Sequence, residues 1–376
     1  MRIRHWQDSS IRDGKPIPVP DAVAIGVGLV AGAVAWPFFP PLAAAVVLDW
    51  LYAPLRRSTV FLTFTGYYLA AARGLPGGFG EFYQGHGTLL YVCGVAVWAV
   101  SSMLLALPWT IVRPAVYRGW RRVVASIIGL ALGFGLTIVP PLGFFAWCNP
   151  LFGFASIAGL VRGSVAPPPG WVGVDTHLGM LPRTIGGVYD RETGLVKITL
   201  RALARPGVHV VVLPETVAGV WQAGTAWVWR PVIQRTAKTG QTVLVGAIGE
   251  NRRNGANRRV DEVVEIHGGK VQVIRPDIMP VPGSMWHPWD PHHEYAMHLF
   301  RDPVVDIDGK QVGIDICYEQ DMPWTAIAML FSGPQVIVGM ANDWWSARTT
   351  VPGIESVSLE ILGRLAGVPV VDAVNE

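Results

Sequence analysis

Long apolar runs crowd the first half of this chain, and short alternating ones fill the second. The long runs are Ala22–Trp36, Leu42–Leu55, Val60–Ala72, Leu89–Trp109 and Val123–Val139. A less regular run, Leu142–Val161, is interrupted by Cys148-Asn149-Pro150. A membrane-spanning helix needs about 20 apolar residues, and no fewer than about 17. Leu89–Trp109 and Val123–Val139 meet that length. The first three runs are shorter and punctuated by Pro37, Pro40, Pro41 and Pro54. Broken segments survive in lipid only where neighbours cover the freed backbone groups. The pattern therefore predicts a polar tail over 1–20 and a transmembrane bundle of five or six packed segments over 21–162.

After Ala166-Pro167-Pro168-Pro169-Gly170, which reads as a linker, the pattern shortens. Strands are predicted at Val208–Leu213, Thr242–Ile248 and Gln335–Gly339. A helical stretch is predicted at Thr216–Lys238 and a helix at Gly353–Leu365. Val260–Ile266 and Lys270–Ile274 read as a hairpin about Gly268-Gly269. Val304–Ile307 and Gln311–Ile316 flank a turn at Asp308-Gly309. Asn251–Arg259 reads as a basic hairpin loop with an Asn-Gly turn. Strand–helix alternation of this kind predicts an α/β layer structure over 163–376.

Charge follows the same division. The first 162 residues carry 12 basic and 5 acidic residues; the remaining 214 carry 18 and 22. The overall charge of +3 thus joins a basic membrane part to a mildly acidic globular part. Its basic residues sit at segment ends and form no stripe, so direct nucleic-acid binding is not expected. A cytoplasmic N-terminus puts Arg2, Arg4, Arg12, Lys15, Arg56, Arg57, Arg113, Arg118, Arg121 and Arg122 inside and only Arg73 outside, as the positive-inside rule requires. If the Leu142 run spans, the globular part is cytoplasmic; if it is re-entrant, that part lies on the outer face. The polar start argues against a cleavable signal peptide, and three cysteines give no disulfide framework.

The candidate chemistry lies in three short motifs. Leu213-Pro214-Glu215 ends one strand, Ile316-Cys317-Tyr318-Glu319 ends another, and Ala341-Asn342-Asp343-Trp344-Trp345 follows a third. A cysteine beside a carboxylate base is an activated-thiol arrangement for acyl transfer. In this order the motifs resemble the signatures of the nitrilase (carbon–nitrogen hydrolase) superfamily. The apolar first half makes the chain similar to its apolipoprotein N-acyltransferase branch, and most similar to the TraB family of plasmid conjugal-transfer proteins. That resemblance implies an αββα sandwich after a transmembrane bundle, with Cys317 as nucleophile and Glu215 as general base. It places Tyr318, Glu319, Asn342, Asp343, Trp344 and Trp286 around them. It also implies a bacterial inner-membrane location, with the globular part on the periplasmic side.

The resemblance has two departures in one region. Where the family has lysine, the stretch Arg275-Pro276-Asp277-Ile278-Met279-Pro280 has arginine, and no glutamate follows in Val281-Pro282-Gly283-Ser284. Arginine keeps the charge but cannot release a proton, and its planar fork differs in shape from an ammonium. Two readings follow. One is a membrane-bound cysteine acyltransferase or amidase working through a Cys317 thioester, with Arg275 as the cation. The other is a catalytically inactive member serving as a membrane component of a transfer apparatus. No cofactor is called for, and Met285–His293 with His298 matches no metal-binding spacing; it reads as a lid at the membrane surface. Expected partners are membrane lipid, a lipoprotein or pilin-like acceptor, and conjugation proteins. The acyltransferase branch continues past the point where this chain stops, Asn375-Glu376, so the sandwich is abbreviated or the sequence is a piece.

Overall fold

In a computed structural model of the chain, residues 20–83, 88–138, 142–253, 256–281, 285–286 and 295–376 are described. The polar tail, the Asn254-Gly255 turn and most of the histidine-rich stretch lie outside them.

The apolar runs form helices α1 (Asp21–Ala35), α2 (Ala44–Tyr52), α3 (Arg57–Ala71), α4 (Leu75–Phe82), α5 (Thr88–Ile111), α6 (Trp120–Ile138) and α7 (Phe152–Arg162). Two apolar helical stretches, Thr88–Val116 and Trp120–Ile138, are long enough to cross a membrane. Only 28% and 22% of their apolar windows are buried, whereas a core helix of a soluble protein hides most of its surface. α1 and α3 fall short at 15 residues each. The Leu142 run breaks at Cys148-Asn149-Pro150 and resumes as α7, of 11 residues. Small residues let α1 and α3 pack closely: the Cβ positions of Gly28 and Gly32 fall against the backbone of Thr63 and Tyr67. Trp109 stacks on Phe64 with ring centroids 4.6 Å apart, and the Trp50 indole N–H donates to the carbonyl of Trp109 at 2.8 Å.

The second half forms two sheets. The first runs β1 (Trp171–Gly173), β2 (Val210–Val212), β3 (Thr242–Arg253), β4 (Ala256–His267) and β5 (Lys270–Pro276), in that order. β1, β2 and β3 are parallel; β4 and β5 return antiparallel. The second runs β6 (Val304–Ile307), β7 (Lys310–Ile316), β8 (Val336–Asn342) and β9 (Val370–Asn375). Here β6 and β7 are antiparallel and the rest parallel.

Period-2 alternation decides the layers. Val210 and Val212 face a core shared with Val312, Ile314, Ile316, Val336, Val338 and Met340 of the second sheet. Val211 and Leu213 face the opposite way, against α8 (Ile185–Leu203) and α10 (Arg230–Thr239). Ile337 points outward from the second sheet toward α11 (Pro323–Ser332) and α12 (Val351–Ala366). The order is therefore helix, sheet, sheet, helix.

The outer helical layer of the second sheet packs largely against the bundle. Ala326 and Met329 of α11 and Ile354, Leu359 and Leu362 of α12 belong to one continuous core with α1, α2, α3 and α5. The Thr350 hydroxyl donates to the carbonyl of Ala71 at 3.0 Å, and α7 lies along α12. The bundle thus closes the sandwich's second face.

Several expectations change in detail. The predicted helical stretch Thr216–Lys238 is a turn, then α9 (Ala223–Val228), then α10, because Gly219 at φ +58° and Pro231 break it. The basic Asn251–Arg259 loop is largely strand: β3 and β4 pair out to Arg253 and Ala256. α8 and α11 were not expected; α8 mixes charged and apolar positions, and α11 follows Cys317 too closely to show as a separate run.

Met329 is fully buried in the joint core, its sulfur filling the space that a side chain on Gly313 would need. Met329→Ala should destabilise the protein by about 2–5 kcal/mol. The check is the thermal midpoint of the detergent-solubilised chain, which should fall in a single transition.

Candidate functional site

The site begins at two strained turns. β2 leads through Leu213-Pro214 to Glu215, and the next residue, Thr216, has φ +48°. β7 leads to Cys317, itself at φ +41°, which opens a 3-10 turn over Cys317–Asp321. Positive φ in a β-branched threonine is a true outlier, and each such residue costs about 1–3 kcal/mol. β3 reaches the first turn only because Gly246 has no side chain: a Cβ there would lie 2.5 Å from the Cα of Glu215.

These turns bring the two motifs together. The Cys317 thiol donates a hydrogen bond to Glu215, and the Cys317 sulfur also accepts from the backbone N–H of Asn342. Both side chains are 7% exposed. The Asn342 amide donates to the Thr216 hydroxyl at 2.7 Å, and its oxygen accepts from Asn375 at 2.7 Å. Asn375 in turn accepts from Thr176 at 2.7 Å. The Asn342 side chain thus braces the Glu215 turn.

Arg275 is fully buried and ion-paired with Glu319 at 2.6 Å. Glu319 also accepts from the backbone N–H of Ile316, at 3.1 Å, and of Ile278. Arg275 Nε and Nη1 are buried without a hydrogen-bond partner. Lys238 and Lys270 are both exposed, so neither replaces the missing lysine. Tyr318 packs with Met279 and Met322, and Trp286 lies against that cluster. Trp344 stacks on Phe82 of α4, centroids 6.3 Å apart.

Around the thiol lies a ring of carboxyls, two of which, Asp261 and Glu355, no motif announced. Glu215, protonated, donates to Asp261 of β4; Glu355 of α12 donates to Asp343. Burial, reinforced by Asp261, pushes Glu215 well above the ordinary carboxyl range. Burial also pushes Asp261 up to about 7, Asp343 to about 6 and Asp315 to about 8. Cys317 is pushed up as well, first by burial, then by Glu215, Glu355 and Asp343. The Cys317 sulfur thus rests as the thiol, and burial favours the acid form of Glu215. One ligand atom each of Cys317, Asp343 and Glu355 lies within 4.8 Å of the others, near enough to hold a cation; the proton shared by Glu355 and Asp343 compensates that pair as it stands.

The missed residues carried a faint signal. Asp261 interrupts the apolar positions of Val260–Ile266, and Glu355 sits among apolar positions of a helix. An acid at an inward position of an apolar run is the mark of a buried titrating group.

Two predictions follow from the acids. Asp261→Asn removes the charge that raises Glu215, so the rate of Cys317 alkylation should begin to rise at lower pH than in wild type. The rate–pH profile with iodoacetamide measures this; an unmoved profile refutes the coupling. The second concerns stability. A carboxyl whose folded value lies above its unfolded value stabilises the fold at low pH and loses that contribution as pH climbs to the folded value. For Asp315 the loss runs from about 4 to about 8. Neither Asp315 carboxylate oxygen has a hydrogen-bond partner, so Asp315→Asn should raise the melting temperature at pH 8 by a few degrees and change it less at pH 5.

No protein-family model matches the chain. Among solved structures it is similar to a mutant of a Nesterenkonia amidase from the nitrilase superfamily, at 13% identity and TM-score 0.38, over 56% of this chain and 79% of that one. It is also similar to a carbon–nitrogen hydrolase from Helicobacter pylori, at 12% identity and TM-score 0.39, over 54% and 72%. Both likenesses are partial; the layer order above stands on the strand pairing itself. The probable conjugal transfer protein TraB of Sinorhizobium fredii is 29% identical over 92% of this chain and 96% of its own length. The conjugal transfer protein TraB of Agrobacterium fabrum is 30% identical over 94% of this chain and 92% of its own. At that identity, over nearly the whole length of both chains, this chain belongs to the TraB family of conjugal transfer proteins.

Proposed function

We propose that the chain is a membrane-bound nitrilase-superfamily protein of plasmid conjugal transfer that moves or hydrolyses an acyl group through a thioester on Cys317. The observation that carries this reading is the Cys317–Glu215 hydrogen bond, made from two strained turns at the ends of β7 and β2. Strain at both partners of one hydrogen bond fits a site held for chemistry. The order of the three motifs supports the same reading, as does the family's role in conjugal transfer.

The mechanism follows from the geometry. Glu215, once ionised, takes the thiol proton, and the Cys317 sulfur adds to the carbonyl carbon of an amide or ester. Negative charge moves to the carbonyl oxygen. The free Nε and Nη1 of Arg275, with the Asn342 N–H, are the donors proposed to meet it. The intermediate then expels the amine or alcohol, which takes its proton back from Glu215, leaving a thioester. A second amine, or water, gives its proton to Glu215, attacks the thioester and restores the thiol. A lipoprotein or pilin-like acceptor would supply that amine.

In this reading the bundle sits in the bacterial inner membrane with a cytoplasmic N-terminus. The exposed apolar faces of α5 and α6 support it. An 11-residue α7 packed on α12 supports a re-entrant segment, and so a periplasmic globular part.

A second reading, an inactive member kept as a membrane component of the transfer apparatus, is favoured by the raised thiol and by arginine at the lysine position. Mating frequency at equal membrane abundance separates the two. If the protein is catalytic, Cys317→Ala abolishes function. Arg275→Ala should cost about 10²–10³ in rate through loss of an oxyanion donor, and Arg275→Lys should retain more activity than Arg275→Ala. Equal mating for wild type and all three variants would overturn the enzymatic reading.

A further inference from the structure

Arg191 is a cation on the buried face of α8. The helix turns it inward with Leu195, Val196, Thr199 and Ala202, and Leu195 and Val196 join the core beneath β2 and β3. An apolar side chain at this position would enter the same core with no charge to strip of water. The guanidinium instead reaches two separate segments. Its Nε donates to the carbonyl of Val217, two residues past Glu215, at 3.1 Å. Its Nη1 donates to the carbonyls of Leu178, Gly179 and Met180, in the loop after β1, at 3.0, 3.1 and 3.1 Å.

These bonds close a ring. The loop after β1 is also tied to Asn375 of β9: the Leu178 N–H donates to the Asn375 side-chain oxygen at 2.9 Å, and the Asn375 amide donates to the Gly179 carbonyl at 3.1 Å. Asn375 bonds Asn342, and Asn342 bonds the Thr216 hydroxyl. Thr216 and Val217 are neighbours, so the ring returns to Arg191. Glu215 stands directly before the two residues held. The turn is gripped from the second sheet by Asn342 and from the helical layer by Arg191. One neutral hydrogen bond generally contributes less than the strain of a threonine at positive φ, and a charge-assisted one is stronger.

We propose that Arg191 is a positioning residue for Glu215, locking the turn that presents the Glu215 carboxyl to the Cys317 thiol. It acts through the Val217 carbonyl. Its planar fork spans both segments, where an ammonium would reach as a single point. The assignment rests on the reading of Glu215 as the base for Cys317, and the test separates the two.

The full chain in detergent is alkylated with iodoacetamide across pH, and labelling of Cys317 is followed by peptide mass spectrometry. Glu215→Gln should slow labelling near neutral pH, because the thiol loses the group that takes its proton. Arg191→Gln should act in the same direction, by up to about 10²-fold, the scale of a small misplacement of a reacting group. Arg191→Lys should fall between Arg191→Gln and wild type. Adding Asp261→Asn should no longer shift the profile in the Arg191→Gln background, since Glu215 is then out of place. Leu195→Ala empties the same helix face one turn away without touching the ring. It should lower thermal stability and keep the wild-type pH profile. A wild-type profile in both Arg191 variants, with Glu215→Gln slowed, would overturn the assignment and leave the base reading standing. An unchanged profile in Glu215→Gln would overturn both. A displacement in Leu195→Ala as large as in Arg191→Gln would reduce Arg191 to packing and overturn the assignment. Where Arg191→Gln fails to fold, the Arg191→Lys profile decides alone: displaced toward that of Glu215→Gln it supports the assignment, and unmoved it overturns it.

Discussion

The Glu319 carboxylate is the constraint on which the site's geometry depends. It is fully buried, and it takes hydrogen bonds from Arg275, from the amide that ends β7 and from the amide of Ile278 just past β5. Those groups come from the two facing sheets. The carboxylate therefore pins one sheet to the other at the point where Cys317 turns to positive φ. A buried ion pair alone gains little, because stripping water from both charges offsets their attraction. Here two backbone donors are added, and each would itself be costly to leave unpaired. Removing one partner of such a pair costs about 3–5 kcal/mol, more than the roughly 1–3 kcal/mol of strain at the cysteine. The pair is strong enough to hold the strained turn, and it leaves two Arg275 nitrogens unspent.

Proton economy sets how the thiol can react. Many reactive cysteines are thiolates at rest, stabilised by a neighbouring cation or a helix N-terminus. Cys317 has the opposite surroundings: its strongest electrostatic neighbours are Glu215, Glu355 and Asp343, all acids. Neighbouring carboxyls in a low-dielectric site cannot all ionise, so Glu215 with Asp261 and Asp343 with Glu355 share protons. Any thiolate must then form during the reaction, by transfer to Glu215. This assigns the base a larger share of the work than a preformed ion pair would require.

Most strands of the sandwich were legible because β-type runs bounded by Gly-Gly and Asp-Gly turns leave few alternatives, and β6 falls where the pattern placed it; β1 and β9 were not expected. The motif residues Glu215 and Cys317 were legible because both end such runs. The acids Asp261 and Glu355 were not, since one buried carboxyl looks like any other acid until the fold places it beside a second. Arg275 was legible as a position but not as a partner: nothing in local sequence links it to Glu319, 44 residues on. The same limit hid the partner of Trp344, which belongs to the third motif and packs on Phe82 of a bundle helix.

Trp344 joins the two halves of the chain through its contact with Phe82. The segment from Asn342 to Thr350 begins at the amide beside the Cys317 sulfur and ends at a hydroxyl bonded to α3. Between them stand Asp343, in contact with the acid ring, and two tryptophans clasped by Phe82. A shift of α4 must move the tryptophans, and they cannot move without disturbing Asp343 and the N–H of Asn342. Close-packed side chains transmit such displacements because little free volume absorbs them. The bundle and the thiol's surroundings thus share one packed stretch of nine consecutive residues, Asn342 to Thr350.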